Sequence, residues 1–323
     1  GDAAARAAVG DRIVTACEDP GVFQVVGHGV DPALRSELMS ASREFFALSD
    51  EEKEHIAMGV GGSAWRGWFP LGGELTSGRA DAKEGIYFGT DLPADDPRVL
   101  AGVPLHGPNL YPRHPDILRR LVPEWMAAVT GVGRAVLGGM ALGLGLDERW
   151  FDRWCDDPTV LFRIFRYPAR MGWGVGEHTD YGLLTLLAQD DSGGLEVRTQ
   201  HDGATSWVAV EPVEGALVCN LGDMLERLSG GRFVATPHRV AAPTADRISM
   251  PLFLDPGWDV EVEPLPIGRT TRRSGASRWD GEDVHAFDGP YSAYLLSRIA
   301  RVFPDLYRSA RIDSAQRDGA LDG

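Results

Sequence analysis

Val160-Leu161-Phe162-Arg163-Ile164-Phe165-Arg166-Tyr167 opens the stretch that decides the fold. It is the first of eight short β-rich runs separated by turns: 160–167, 183–188, 195–198, 206–210, 216–219, 232–235, 238–242 and 247–254. Short strands at this spacing predict a jelly roll or a sandwich. Upstream the pattern is helical. Residues 3–17 read as an amphipathic helix, Phe23 to Val26 as a short strand, and Asp31-Pro32 as the cap of a helix running to about Leu48. Ser49 and Glu52 form a capping-box pair at the next helix start. A long helix is expected over 115–144, a short one near 147–155 and a C-terminal helix over 288–303, with a polar tail after about 311. The simplest organisation is one unit, 1–323: a helix-rich part over 1–158, a β core over 159–258 and a C-terminal loop and helix over 259–323.

Within the β-rich part, His178 and Asp180 stand at i, i+2, which on an extended segment places both side chains on one face. His238 can join them from a distant strand. Two imidazoles and one carboxylate can hold a ferrous ion on one face and leave the opposite positions open. Arg247 and Ser249, again at i, i+2, can grip a carboxylate through a planar fork and one hydroxyl. Tyr167 can add a third hydrogen bond from a neighbouring strand. The run Met250 to Leu254 directs Arg247 inward, where a guanidinium without a carboxylate partner would be costly. The remaining histidines, His28, His55, His106, His114, His201 and His285, read as structural, surface or loop residues.

Residues 59–90 mix glycine with aromatics and are expected to pack near a pocket. Candidate substrate contacts are Trp65, Trp68, Phe69, Tyr87, Trp173, Phe253 and Trp258. Trp173 lies in a glycine-rich loop, Met171 to Gly176, immediately before His178. Lys83-Glu84 reads as a structural salt bridge. An apolar, aromatic-rich pocket would suit a small natural-product or catabolic molecule.

The chain carries 32 basic and 47 acidic residues, a net charge of −15, with 43% hydrophobic residues. The acidity argues against nucleic acid and against anionic membrane surfaces. The expected partner is a small molecule, and a monomer is the expected state. Cys17, Cys155 and Cys219 are too few and too scattered for a disulfide framework, which fits a reducing, cytoplasmic setting. No apolar run of about 18 residues stands out as a membrane span. The chain opens inside a helix, so natural residues are expected to precede Gly1.

Several ordered blocks resemble the iron(II)- and 2-oxoglutarate-dependent dioxygenases of the isopenicillin N synthase-like superfamily. They are Gly21 to Val30, Lys83 to Gly89, Arg166-Tyr167-Pro168, His178 to Thr185, Gly194 to Val197, Asn220 to Leu225, Pro237 to Val240 and Arg247-Ile248-Ser249. The stretch Arg66 to Gly78 resembles a microbial and plant subgroup with diverse substrates. The resemblance implies a double-stranded β-helix (jelly-roll) core with flanking helices. It implies His178, Asp180 and His238 as iron ligands. Arg247 and Ser249, assisted by Tyr167, would bind 2-oxoglutarate. In many plant members an asparagine stands two positions before that tyrosine; here it is Phe165. The implied reaction uses oxygen, releases succinate and carbon dioxide, and oxidises an unactivated C–H bond by hydroxylation, desaturation or cyclisation.

Three alternatives stay open from the residues. A related iron oxidase would act without 2-oxoglutarate, with Arg247 and Ser249 holding a substrate carboxylate. A non-catalytic jelly roll would only bind its ligand. A zinc hydrolase would use the same three ligands but leave Arg247 and Ser249 unexplained.

Overall fold

Helix starts follow their sequence signals. Asp31 Oδ1 accepts the Ala33 N–H at 2.8 Å, with Pro32 in the first turn. Ser49 and Glu52 close the reciprocal capping box. The computed structural model describes residues 2–76, 78–201, 204–261, 263–267, 280–281 and 283–302. Its elements begin with α1 (Ala3–Glu18), β1 (Val22–Val25), α2 (Pro32–Phe46), α3 (Asp50–Lys53), β2 (Gly67–Phe69), β3 (Leu75–Thr76), β4 (Arg79–Ala80) and β5 (Glu84–Gly89). Then come α4 (Pro97–Leu100), α5 (Leu118–Gly143), α6 (Asp152–Cys155), β6 (Thr159–Tyr167), β7 (Val175–His178), β8 (Leu184–Gln189), β9 (Leu195–His201) and β10 (Ala204–Ala209). The last are β11 (Leu217–Leu221), α7 (Asp223–Leu228), β12 (His238–Val240), β13 (Arg247–Asp255) and α8 (Tyr291–Val302).

Two antiparallel sheets form the expected jelly roll. The larger runs β1-β11-β8-β13-β6-β5-β2 and the smaller β10-β9-β12-β7. The helix-rich first part therefore contributes β1, β2 and β5 to the larger sheet. Strands β6, β8, β11 and β13 are buried almost throughout, because both faces are covered. Even-numbered Leu186 and Leu254 meet α5 at Gly133. Odd-numbered Arg247, Ser249, Pro251, Phe253 and Asp255 face a cavity on the other side. The period-2 pleat thus separates a packing face from a chemical face.

The long helix α5 is apolar and long enough to cross a membrane by length and composition alone, which corrects the sequence reading that no such stretch exists. In the structure Leu121, Val122, Trp125, Val129, Val132, Val136 and Met140 are buried in the core. Helix α1 packs on it closely at Gly10, where a Cβ would lie 2.6 Å from the Gly139 carbonyl oxygen.

Three expectations change. The run 232–235 is irregular, not a strand: the Val234 N–H goes to Cys17 O at 3.1 Å and the Phe233 N–H to Ser229 Oγ at 2.9 Å, so neither joins a ladder. Part of the glycine-rich loop before His178 is strand β7. Helix α7 follows β11, where the sequence suggested no helix. The polar tail after 311 lies outside the described residues.

Candidate active site

Strands β7 and β12 pair so that His178 and His238 are direct cross-strand partners, with ring centroids 4.2 Å apart. Asp180 follows β7 and is held by a bridge to Gly222. Its Oδ1 lies 3.9 Å from His178 Nε2 and 3.8 Å from His238 Nε2. One ligand atom from each of the three residues falls within 4.8 Å of the others.

Each imidazole is oriented the same way. His178 Nδ1 lies 2.9 Å from Gly176 O, and His238 Nδ1 lies 3.1 Å from Thr236 O. A proton on Nδ1 donated to each carbonyl leaves the Nε2 lone pair facing Asp180, as a metal requires. Burial, then the neighbouring His238, pushes the His178 pKa down to about 3. Burial alone would raise the Asp180 carboxyl. The two imidazoles and hydrogen bonds from Thr185 and Asn220 outweigh it and hold the group below the usual carboxylate range. Thr185 Oγ1 and Asn220 Nδ2 both donate to Asp180 Oδ2, at 2.5 and 2.7 Å, which directs Oδ1 toward the histidines. The donor set, two imidazoles with an ionised carboxylate, fits a divalent transition metal.

The same cavity, of ≈ 650 Å³, contains Arg247, Ser249 and Tyr167. Arg247 and Tyr167 are register partners on β13 and β6, and the guanidinium carbon sits 4.8 Å from the Tyr167 ring centroid. Arg247 Nε donates to Gly193 O at 2.7 Å and Nη2 to Gln189 Oε1 at 2.9 Å. Its Nη1 is buried without a hydrogen-bond partner among the described residues. Ser249 Oγ donates to Tyr167 Oη at 3.4 Å. A fully buried guanidinium with an unspent donor facing a cavity fits a carboxylate-bearing co-substrate.

Of the aromatic candidates, Trp65, Tyr87 and Phe253 line the cavity. The other four do not. Phe69 stands behind Tyr87 and Phe165, edge-on at 5.4 and 6.3 Å. Trp68 is committed to Glu84 through its Nε1–H at 3.0 Å. Trp173 is 53% exposed and stacks on Arg239 instead. Trp258 packs edge-on against His106 at 5.1 Å. Lys83 and Glu84 are structural, but not with each other. Lys83 pairs with Glu74 and Asp81, each at 3.0 Å, and Glu84 pairs with Lys53 at 2.8 Å and Arg166 at 2.9 Å.

The pocket is also more charged than the sequence suggested. Glu74, Arg163, Asp223, Asp255 and Arg298 all reach its wall. Thr185 and Asn220 lie inside motif blocks whose spacing gives them no task. Gln189, Arg163 and the wall provided by α8 carry no sequence signal of their own.

A jelly roll that presents two histidines on paired strands and an aspartate just beyond one of them, beside a buried carboxylate clamp, defines a non-haem metal oxygenase. The chain matches the family model for the 2OG-Fe(II) oxygenase superfamily over residues 155–256. It also matches that for the non-haem dioxygenase in morphine synthesis N-terminal region over residues 1–114. A Dictyostelium discoideum protein named "Probable iron/ascorbate oxidoreductase" is 40% identical, covering 92% of this chain and 90% of the relative. Homoarginine-6-hydroxylase from Glycine max is 35% identical, covering 90% and 88%. The solved structure of a full-length Neurospora crassa protein in complex with alpha-KG superposes with a TM-score of 0.76 at 25% identity, covering 93% and 92%. The chain belongs to the 2OG-Fe(II) oxygenase superfamily and is an oxidoreductase that uses iron(II) and 2-oxoglutarate. The alternative of an oxidase acting without 2-oxoglutarate is not favoured.

Proposed function

We propose that His178, Asp180 and His238 hold the iron, and that Arg247, Ser249 and Tyr167 bind the far carboxylate of 2-oxoglutarate, in a single catalytic unit that oxidises a C–H bond of a small molecule. The carrying observation is the unspent Nη1 donor of Arg247, which shares one cavity with the metal triad. When bound, iron and 2-oxoglutarate supply the oxygen activation, with succinate and carbon dioxide released. The chain's own residues do the positioning. Gly176 and Thr236 fix the imidazole tautomers, Thr185 and Asn220 aim Asp180, and Gln189 and Gly193 set the plane of the Arg247 fork.

Anaerobic titration with iron(II) and 2-oxoglutarate tests this, followed by the weak visible charge-transfer band of the chelate. The band should form in the wild type, vanish in His178→Ala with loss of the metal, and need far more 2-oxoglutarate in Arg247→Ala. An Arg247→Ala protein that titrates like the wild type would overturn the assignment of the clamp.

A further inference from the structure

We infer that Arg163 is the docking point for a carboxylate on the primary substrate, so that the substrate class is a small carboxylic acid with an apolar body. This deepens the reading above and rests on 2-oxoglutarate occupying the Arg247 end of the cavity.

Strand β6 supplies the geometry. Its odd-numbered residues Leu161, Arg163, Phe165 and Tyr167 all line the cavity. Tyr167 marks the co-substrate end, opposite Arg247. Arg163 lies four residues along the same face, roughly 13 Å away at about 3.3 Å per residue. The register, which pairs Ser249 with Phe165 and Leu252 with Phe162, brings Pro251, another residue of the cavity wall, opposite Arg163.

Arg163 has no direct ion pair: Glu74 and Asp255 act on its charge only from longer range. The residue is 7% exposed, and no carboxylate among the described residues lies within ion-pairing distance. Its Nη1 donates to the carbonyls of Phe88 and Phe162, both at 3.2 Å. The guanidinium carbon lies 3.5 Å from the Tyr87 ring centroid, and the Tyr87 hydroxyl is a further hydrogen-bond partner. These contacts fix the fork in place without a carboxylate in direct contact, the partner that a guanidinium in an enclosed site binds best. The nearby buried lysines differ: Lys53 has Glu84 at 2.8 Å, and Lys83 has Glu74 and Asp81 at 3.0 Å. Arg66 likewise has no carboxylate within ion-pairing distance among the described residues, but it lies outside the cavity wall and donates through Nη1 to Ala64 O and Nη2 to Leu105 O.

The acids on the wall are already committed. Glu74 is paired with Lys83, Asp223 accepts from Tyr294 at 2.6 Å, and Asp255 accepts from Tyr291 at 2.5 Å. A cationic substrate would have to displace one of these partners, whereas an anionic one completes Arg163. Leu161, Phe165 and Phe253 line the same cavity, with the Phe253 ring centroid 5.8 Å from the guanidinium carbon. They favour an aliphatic or aromatic body.

The test uses the full chain loaded anaerobically with iron(II) and 2-oxoglutarate. Calorimetry would compare phenylacetate, 3-phenylpropionate and 4-phenylbutyrate with their primary amides and with the matching amines. At least one acid should bind the wild type about tenfold or more tighter than its amide. Arg163→Gln should erase that preference, and Arg163→Lys should restore part of it. The 2-oxoglutarate charge-transfer band, measured on the same samples, reports that each variant is folded with its co-substrate site intact. Acids that bind no better than amides or amines, or an acid preference that survives in Arg163→Gln, would overturn the proposal. Loss of the band in the wild type would instead overturn the underlying assignment of the co-substrate site.

Discussion

His178 and His238 face each other across the β7–β12 ladder as register partners, and each Nδ1 is paired with the carbonyl two residues before it. The metal site is therefore built from one repeated local device on two antiparallel strands, with Asp180 added from the loop that follows. Residues behind that device govern how well it works, and they are where mutation is most informative.

Asn220 and Thr185 should set metal affinity without touching the metal. Both donate to Asp180 Oδ2 and so hold Oδ1 toward the imidazoles. Removing either bond, in Thr185→Val or Asn220→Leu, should weaken iron(II) binding by about 10–100-fold. Competition with a fluorescent chelator measures this, and an unchanged dissociation constant in both variants would contradict the role.

Gln189 should act on the co-substrate alone. Its Oε1 accepts Arg247 Nη2 at 2.9 Å, and its own Nε2 is buried without a partner among the described residues. Gln189→Leu should raise KM for 2-oxoglutarate about tenfold, the effect of losing one hydrogen bond to a charged group, with kcat little changed. A fall in kcat at unchanged KM would point to a different task.

Asp255 should make stability depend on pH. Burial raises its pKa to about 7, against the lowering effect of a hydrogen bond from Tyr291. An unfolded carboxyl titrates at about 3.9. The folded state therefore holds this proton more tightly, so the associated stability is full below that value and is lost as pH rises through about 7. Relative to Asp255→Asn, the wild type should lose on the order of 2–3 kcal/mol between about pH 5 and 8. Paired thermal melts across that range decide it; a constant difference between the two proteins would show that Asp255 stays ionised.

Much of this site was legible in the sequence because its ligands obey the pleat. His178 with Asp180, and Arg247 with Ser249, keep the i, i+2 spacing of one face, and His238 had only to arrive on another strand. Arg163 obeys the same rule but was invisible, because a charged residue inside an apolar strand reads equally well as an outward-facing one. Only the register with Tyr87 and the covered outer face show that it points inward. Strand β7 was missed because its glycine-rich approach reads as loop, and pairing with β12 imposes the extended form. Phe233 and Val234 misled in the opposite sense. Their apolar side chains suggest a strand, but their N–H groups serve Ser229 and Cys17. The aromatic candidates divided on depth: Phe69 packs behind the wall that Tyr87 and Phe165 form, and sequence spacing carries no information on which layer a ring occupies.

Asp223 accepts the Tyr294 hydroxyl through its carboxylate, while its backbone N–H donates to the Asp180 carbonyl at 2.8 Å. The last described helix is thus moored to the loop that carries a metal ligand. Handling of the recombinant protein should respect that mooring. An affinity tag, a cloning scar or a protease nick that disturbs α8 would surface as a change in iron loading, with every ligand still in its native sequence.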